Sequence, residues 1–235
     1  MLRRYAERAL PGDQPSPRQI QITQRGKMWQ KPDARAMRFT ATQYLAVERI
    51  AFSWRARFPL LGPLALRVVD EYADGDGKLD VRLIGLPLQR QRGPETTAGE
   101  ALRYLAELPF VPHAIAHNRD LEWRELDERT VEVAARIGEQ RLTVELEFDD
   151  EGDIVHSSSQ DRRRKVGSEW LPTPWGGRFG DYTTLGGIRL PTSGEAYWDL
   201  ADGPYVYWRG TILSAHLLNE PFGDRHGSAP SAPKS

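Results

Sequence analysis

Most of this chain's apolar residues alternate with polar ones, and a single segment repeats at helical spacing. In FSWRARF, Phe52, Trp54, Ala56 and Phe58 fall on one face and Ser53, Arg55 and Arg57 on the other, the period-two pattern of a half-buried strand. VEVAARI places Val131, Val133, Ala135 and Ile137 on one side, and after GEQR the stretch LTVELEF sets Leu142, Val144, Leu146 and Phe148 against Thr143, Glu145 and Glu147. Turn signals recur at short intervals in ADGDGK (Ala73 to Lys78), DERT (Asp127 to Thr130), DDEGD (Asp149 to Asp153) and ADGP (Ala201 to Pro204), as expected of hairpins joining antiparallel neighbours. The strand signals add up to about ten to twelve strands. A two-residue loop at Asp202 and Gly203 would set Tyr197 opposite Trp208 and Trp198 opposite Tyr207. Such aromatic cross-strand pairs contribute roughly 0.2 to 1 kcal/mol each and fix the register.

The helical segment is TAGEALRYLAELPFVPHAIAHN. Thr97 at the N-cap with Glu100 three residues on predicts a capping box. Ala101, Leu102, Leu105 and Leu108 share one stripe, while Glu100, Arg103 and Glu107 face elsewhere. Pro109 ends the first piece, and Pro112 starts a second short turn that runs through His117. One broken helix cannot cover the apolar faces of so many strands, so the sheet must curl on itself or fold into two layers. A curled sheet that its helix fills only in part leaves an apolar cavity, the usual setting for an apolar ligand. The expected fold is therefore mainly β: a large curved antiparallel sheet, a half-barrel or barrel-like meander, covered by one broken helix. One β-rich domain is expected over residues 1–222, followed by a disordered tail over 223–235, small, polar and proline-containing, with His226 in solvent.

Charge and cysteine narrow the function. Lys+Arg is 32 and Asp+Glu 33, a formal net charge of −1, so no overall field gathers nucleic acid or an anionic membrane, and no nucleic-acid partner is expected. Cysteine is absent, which removes disulfides, thiolate nucleophiles and cysteine metal sites together. The first residues carry positive charge without an apolar segment after them, and no stretch approaches the roughly 18 apolar residues of a membrane span. A soluble, cytoplasmic protein is expected. No G-x-S-x-G, P-loop or dinucleotide fingerprint is present, and no cofactor is expected.

Several local patterns bear on chemistry. HAIAH puts His113 and His117 four apart, where two imidazoles on one helix face can share a metal. The zincin pattern needs a Glu directly after the first His, and Ala114 stands there; a third ligand would have to come from Glu107 or His156. No metal is expected, and a surface or partly buried histidine pair is the alternative. Arg103 and Glu107 at i and i+4 are either a catalytic pair, a helix-face ion pair worth roughly 0.2 to 0.5 kcal/mol, or a buried anchor of helix to sheet. DGDGKLD imitates the start of a calcium loop, but Lys78 occupies a ligand position, so a hairpin turn is expected. DRRRK, Asp161 to Lys165, could meet a phosphate or headgroup, with a solvated loop preferred. The glycine-rich TPWGGRFGDYTTLGGIRLPTSGE is either a lid carrying Trp175, Phe179 and Tyr182 or a pair of short edge strands.

Taken together, Gln24, Gly26 and Trp29, then Phe52 to Arg57, Asp70 to Gly77, RYLAE with Pro112 nearby, Leu121 to Trp123, and PTSGEAYW make the chain resemble an uncharacterised bacterial domain-of-unknown-function family, over about residues 1 to 215. The resemblance implies a mostly antiparallel β domain similar to the half-barrels of bacterial lipoprotein carriers, which hold acyl chains against a helix-covered concave sheet. It implies no activity. The chain departs from the family at ELPFVP, where a tryptophan often stands in place of Phe110.

The function expected is a binding domain for a hydrophobic ligand, a lipid or apolar metabolite, with Trp54, Phe58, Trp123, Phe148 and Trp198 as walls. The alternatives are a hydrolase- or cyclase-type enzyme using Glu107 with Arg103, or His113 with His117, at the cavity mouth, and a structural or interaction domain without a ligand.

Overall fold

The structure is a computed structural model that describes residues 1–10 and 16–223. Of the tail expected over 223–235, all but Gly223 lies outside the described residues, as does His226.

Fifteen strands form among the described residues, more than the ten to twelve expected. The first six are β1 (Gln19–Met28), β2 (Met37–Ala46), β3 (Phe52–Pro59), β4 (Ala65–Ala73), β5 (Asp76–Leu83) and β6 (Leu86–Gln91). After the helical segment come β7 (Glu122–Glu125), β8 (Thr130–Ile137), β9 (Gln140–Phe148) and β10 (Ile154–Ser159). The hairpin of β11 (Arg163–Val166) and β12 (Glu169–Pro172) stands as a separate two-stranded sheet. The chain then returns through β13 (Trp175–Leu185), β14 (Ile188–Leu200) and β15 (Gly203–Leu218). Thirteen strands make one antiparallel sheet in the order β6-β5-β4-β3-β2-β1-β15-β14-β13-β10-β9-β8-β7.

The helical segment proves that this sheet curls. It consists of α2 (Pro94–Ala106), a 3₁₀ turn (Leu108–Phe110) and α3 (Pro112–His117), with α1 (Leu2–Ala9) at the start of the chain. Helix α2 touches β4 and β5 near one end of the strand order and β8 and β9 near the other. Strands so far apart in the sheet reach one helix only if the sheet wraps around it, as an open half-barrel. The predicted phases hold: Phe52, Trp54, Ala56 and Phe58, and Leu142, Val144, Leu146 and Phe148, are all buried, as are Ala101, Leu102, Leu105 and Leu108 on the helical segment. Gly77 sets how closely α2 lies on β5, because a Cβ there would sit 2.6 Å from the Thr97 Cα.

Four local expectations are corrected. The capping box does not form: α2 begins at Pro94, behind Gly93, with no side-chain cap. Proline suits that first helical position, where its missing N–H leaves nothing unsatisfied. Thr97 Oγ1 instead accepts from the Gly77 N–H at 3.1 Å. Helix α1 is additional; its Tyr5 is buried edge-on against Phe148 and Tyr182. In the β14–β15 hairpin Leu200 pairs with Gly203, so the turn is Ala201 and Asp202, and Tyr197 lies opposite Val206 and Trp198 opposite Tyr205. The turn therefore sets these pairs two residues from the expected register; a bulge beyond them, between Ala196 and Tyr197, brings Ala196 opposite Trp208, and Trp198 still stacks on Tyr207 diagonally, 6.1 Å between centroids. The glycine-rich stretch is no lid: Trp175, Phe179 and Tyr182 lie on β13, which with β14 sits inside the sheet and not at its edge. Its Gly176 makes room for a neighbouring strand and ring, since a Cβ there would sit 2.6 Å from the Ser157 carbonyl and 2.7 Å from the Tyr197 hydroxyl. No helix among the described residues is long and apolar enough to cross a membrane.

Candidate functional site

The helix fills the concave face only in part. Beside α2 lies a cavity of about 460 Å³, walled by Trp54 and Phe58 of β3, Leu66 and Val68 of β4, and Trp198 and Trp208 of β14 and β15. Phe110, in the 3₁₀ turn, and Phe179 close another side, edge to face at 5.5 Å.

One side of this apolar space is charged. Arg103 donates from Nε to Glu107 Oε1 at 2.8 Å and from Nη1 to Asp70 Oδ2, and its guanidinium lies 4.9 Å from the Phe52 ring centroid and 5.3 Å from that of Trp54. Glu107 Oε2 accepts from Gln43, whose Oε1 accepts in turn from Gln24 Nε2 at 2.9 Å. Asp70 Oδ1 and Glu100 Oε2 are both buried without a donor, and the two carboxyls are close enough to shift one another's titration. Burial pushes Glu100 well above the usual carboxylate value, and the neighbouring Asp70 charge pushes it further. Burial also raises Asp70, against the pull of Arg103. Glu100 is the more strongly raised of the two, and Asp70 is the one that meets the guanidinium. For Arg103 burial opposes the charge, but Glu107, Asp70 and Glu100 outweigh it and hold the group firmly cationic.

A second guanidinium is held differently. Arg162 lies over Trp175 at 4.0 Å and near Trp198 at 5.7 Å, and its Nη1 is buried with no acceptor. It makes no ion pair among the described residues. The indole nitrogens of Trp54 and Trp208 are also buried without acceptors, and both residues line the same cavity. Arg163, Lys165 and Trp170 of the β11–β12 hairpin complete its rim.

Of the expected ligand walls, Trp54, Phe58 and Trp198 line the cavity. Phe148 is instead in the core against Tyr5, and Trp123 lies on the edge strand β7, packed against the core. Of the three residues expected on a lid, Trp175 and Phe179 line the cavity from β13, whereas the Tyr182 hydroxyl donates to the Ile154 carbonyl at 2.8 Å beneath α1. Arg103 and Glu107 line the cavity; His113 and His117 do not. His113 is buried with Nδ1 unpartnered, while His117 is exposed. His156 meets the Tyr197 hydroxyl at 2.6 Å and joins neither. Among the described residues no three His, Asp or Glu side chains gather as metal ligands.

Asp70 and Arg162 were not expected at the site, and Glu100 was expected only as a capping residue off the apolar stripe; it is instead buried on the cavity wall. Asp70 had a signal: it shares the phase of Leu66, Val68 and Tyr72, so an acid falls on the apolar face of its strand. Arg162 sat inside a basic run expected to be a solvated loop; Arg163 to Lys165 lie instead on β11, with Arg164 Nε buried, and Arg162 stacks on Trp175 across the fold.

The chain belongs to the family of unknown function DUF6544, which matches residues 1–210; the resemblance read from its motifs is to an uncharacterised family of this kind. No curated protein matches the chain. Among solved structures it is similar to a LolA superfamily protein from Nitrosomonas europaea, at 14% identity over 94% of this chain and 93% of that one, with a TM-score of 0.48. It is also similar to a DUF1329 family protein from Desulfovibrio piger, at 8% identity over 86% of each chain, with a TM-score of 0.47.

Proposed function

We propose that this chain is a binding domain for a hydrophobic ligand, a lipid or apolar metabolite, held in the cavity beside α2. The observation that carries the proposal is the space itself, about 460 Å³ walled by Trp54, Phe58, Trp198 and Trp208, within the range of roughly 300 to 1,000 Å³ typical of ligand sites. Burying a donor without a partner costs about 1 to 3 kcal/mol, and Arg162 Nη1, Trp54 Nε1 and Trp208 Nε1 are three such donors around this space. All three can only donate. A ligand that brings acceptor oxygens at one end, as an acyl chain with an acidic head does, answers both the apolar walls and these groups.

An enzyme of hydrolase or cyclase type is the second reading, and one observation favours it. Glu107 and Arg103 face the same cavity as Glu100, a carboxyl that keeps its proton well above the usual range, as a general acid does. Against it, both Glu107 oxygens are already engaged, by Arg103 and Gln43, and the histidines lie elsewhere. The cavity likewise favours binding over a purely structural role. We also place the protein in the cytoplasm, where a chain without cysteine needs no oxidising step to fold; recovery outside the cytoplasm on cell fractionation would overturn that placement.

Native mass spectrometry and solvent extraction of the purified protein test the binding function. A co-purifying or added long-chain ligand in stoichiometric amount is expected. A protein that neither carries nor takes up any such ligand would end the proposal, and turnover abolished by Glu100→Gln or Glu107→Gln in a hydrolase screen would replace it with the second reading.

A further inference from the structure

Two neighbouring hairpin tips are apolar where turns are ordinarily polar. The β3–β4 connection reads PLLGPLA and the β5–β6 connection LIGLPL. Leu66 pairs with Leu83, so the tips stand side by side at one end of the sheet. Leu61 there is 83% exposed, Ile84 73% and Leu86 70%. Turn chemistry makes Ile84 conspicuous: it has φ +51° and is followed by Gly85 at +79°, while the β4–β5 turn reaches nearly the same angles, 52° and 81°, with Asp74 and Gly75. Asp-Gly is what such a turn favours, and a β-branched residue there is strained. An exposed isoleucine in a strained turn position gives the fold nothing that asparagine or aspartate would not give it more easily.

Behind these tips the outer face of the sheet is basic. Arg25, Lys27, Arg38, Arg57, Arg67 and Arg82 are exposed on β1 to β5 and make no ion pair among the described residues. Three of the contacts are between like charges directly across the strands: Lys27 with Arg38, Arg57 with Arg67, and Arg67 with Arg82. Such pairs work against the sheet. At about 3.4 Å per residue, the arginine row crossing β3, β4 and β5 lies one or two residues, roughly 3 to 7 Å, behind the strand ends that carry the tips. The net charge of −1 for the whole chain conceals this local concentration.

We infer that this end of the sheet docks on an anionic lipid bilayer, with Leu61, Ile84 and Leu86 entering the acyl region and the arginine row lying on the headgroups. Apolar groups in front of cations at this spacing match the two layers of a membrane surface. The charge and the protruding tips together single out a bilayer: nucleic acid would use the cations and leave the tips in water, and a second copy of the chain would use the tips and oppose the cations to each other. The inference goes beyond ligand binding and does not rest on it, because none of Leu61, Ile84, Arg57, Arg67 and Arg82 lines the cavity.

Co-sedimentation of the full chain with phosphatidylcholine vesicles, with and without phosphatidylglycerol, tests it. Binding is expected to the anionic vesicles, to fall as salt is raised, and to weaken roughly fivefold for each of Arg57→Gln, Arg67→Gln and Arg82→Gln. Ile84→Asn with Leu61→Asn should lose binding while the melting temperature holds or rises, since asparagine suits the turn, which separates lost docking from lost folding. Absence of binding, equal binding to neutral vesicles, or tip variants that bind undiminished would each overturn the inference. So would tips consumed in a concentration-dependent dimer, or a basic face that retains single-stranded nucleic acid and no vesicles. Uptake of a ligand by the cavity is measured separately on the same variants and is expected to be unchanged.

Discussion

Glu100 of α2 and Asp70 of β4 meet on the wall of the cavity, each with a buried carboxyl oxygen that no donor reaches. They occur together because the curled sheet brings a helix and a strand to one face, and burial keeps both carboxyls above their usual range.

This pair gives a pH dependence with a definite sign. Because the folded protein holds Glu100 well above its ordinary value of 4.5, the stabilisation is fully present below that value and is lost as pH rises through the elevated one. Glu100→Gln removes the titration. Melting temperatures measured from pH 4.5 upward should therefore fall more steeply in the natural protein than in the variant. Parallel curves would show that the proton is not held there.

His113 acts in the opposite direction. Burial, and secondarily the charge of His117, lower its pKa to about 4 from 6.5, so its contribution is present above 6.5 and lost as pH falls through about 4. The shift corresponds to roughly 3 kcal/mol in full. His113→Phe should reduce the loss of urea stability between pH 7 and pH 4.5; an unchanged acid loss would show that another group carries it.

The sheet was legible because its phase is local: Phe52 to Phe58 and Leu142 to Phe148 each declare a buried face within one strand. The curl followed from supply and demand of apolar cover, a property of the whole chain. Helix α1 was not legible, since LRRYAERA is mostly charged and only Tyr5 and Ala9 are buried. The β14–β15 register slipped because the turn falls on Ala201 and Asp202 and not on Asp202 and Gly203; ADGP carries turn residues at both placements, and a one-residue move of the turn shifts every pair by two. For the site, Arg103 and Glu107 were visible as a pair but their partners were not: Asp70 and Gln43 come from strands far away in sequence. Arg162 is the extreme case, because its place is set by Trp175 and Trp198 and nothing within DRRRK distinguishes it from its neighbours.

Arg103 anchors the helix to the sheet, and its removal should be costly. Arg103→Met leaves Asp70 and Glu107, both partly buried, without their counter-charge, a change that costs about 3 kcal/mol, the lower end for a buried pair. Adding Asp70→Asn and Glu107→Gln should recover most of that loss in chemical denaturation. A single-variant loss below about 1 kcal/mol, the scale of an exposed pair, would contradict the anchoring role.

Arg162 provides the sharpest check on the ligand. It stacks on Trp175 and has a buried nitrogen without an acceptor, so in the proposed function its partner is the acidic head of the guest. A hydrogen bond to a charged group contributes about 1.5 to 3 kcal/mol, which makes a loss of at least roughly tenfold the expectation for Arg162→Gln. The loss should appear with a long-chain carboxylate and be nearly absent with the alcohol of the same chain length. Tryptophan fluorescence can follow both titrations, since Trp175 and Trp198 lie beneath the guanidinium and line the cavity. Arg162→Lys keeps the charge but not the planar stacking fork, and should fall between the two. Equal losses for acid and alcohol would mean that Arg162 only packs against its tryptophans and that the head of the ligand lies elsewhere.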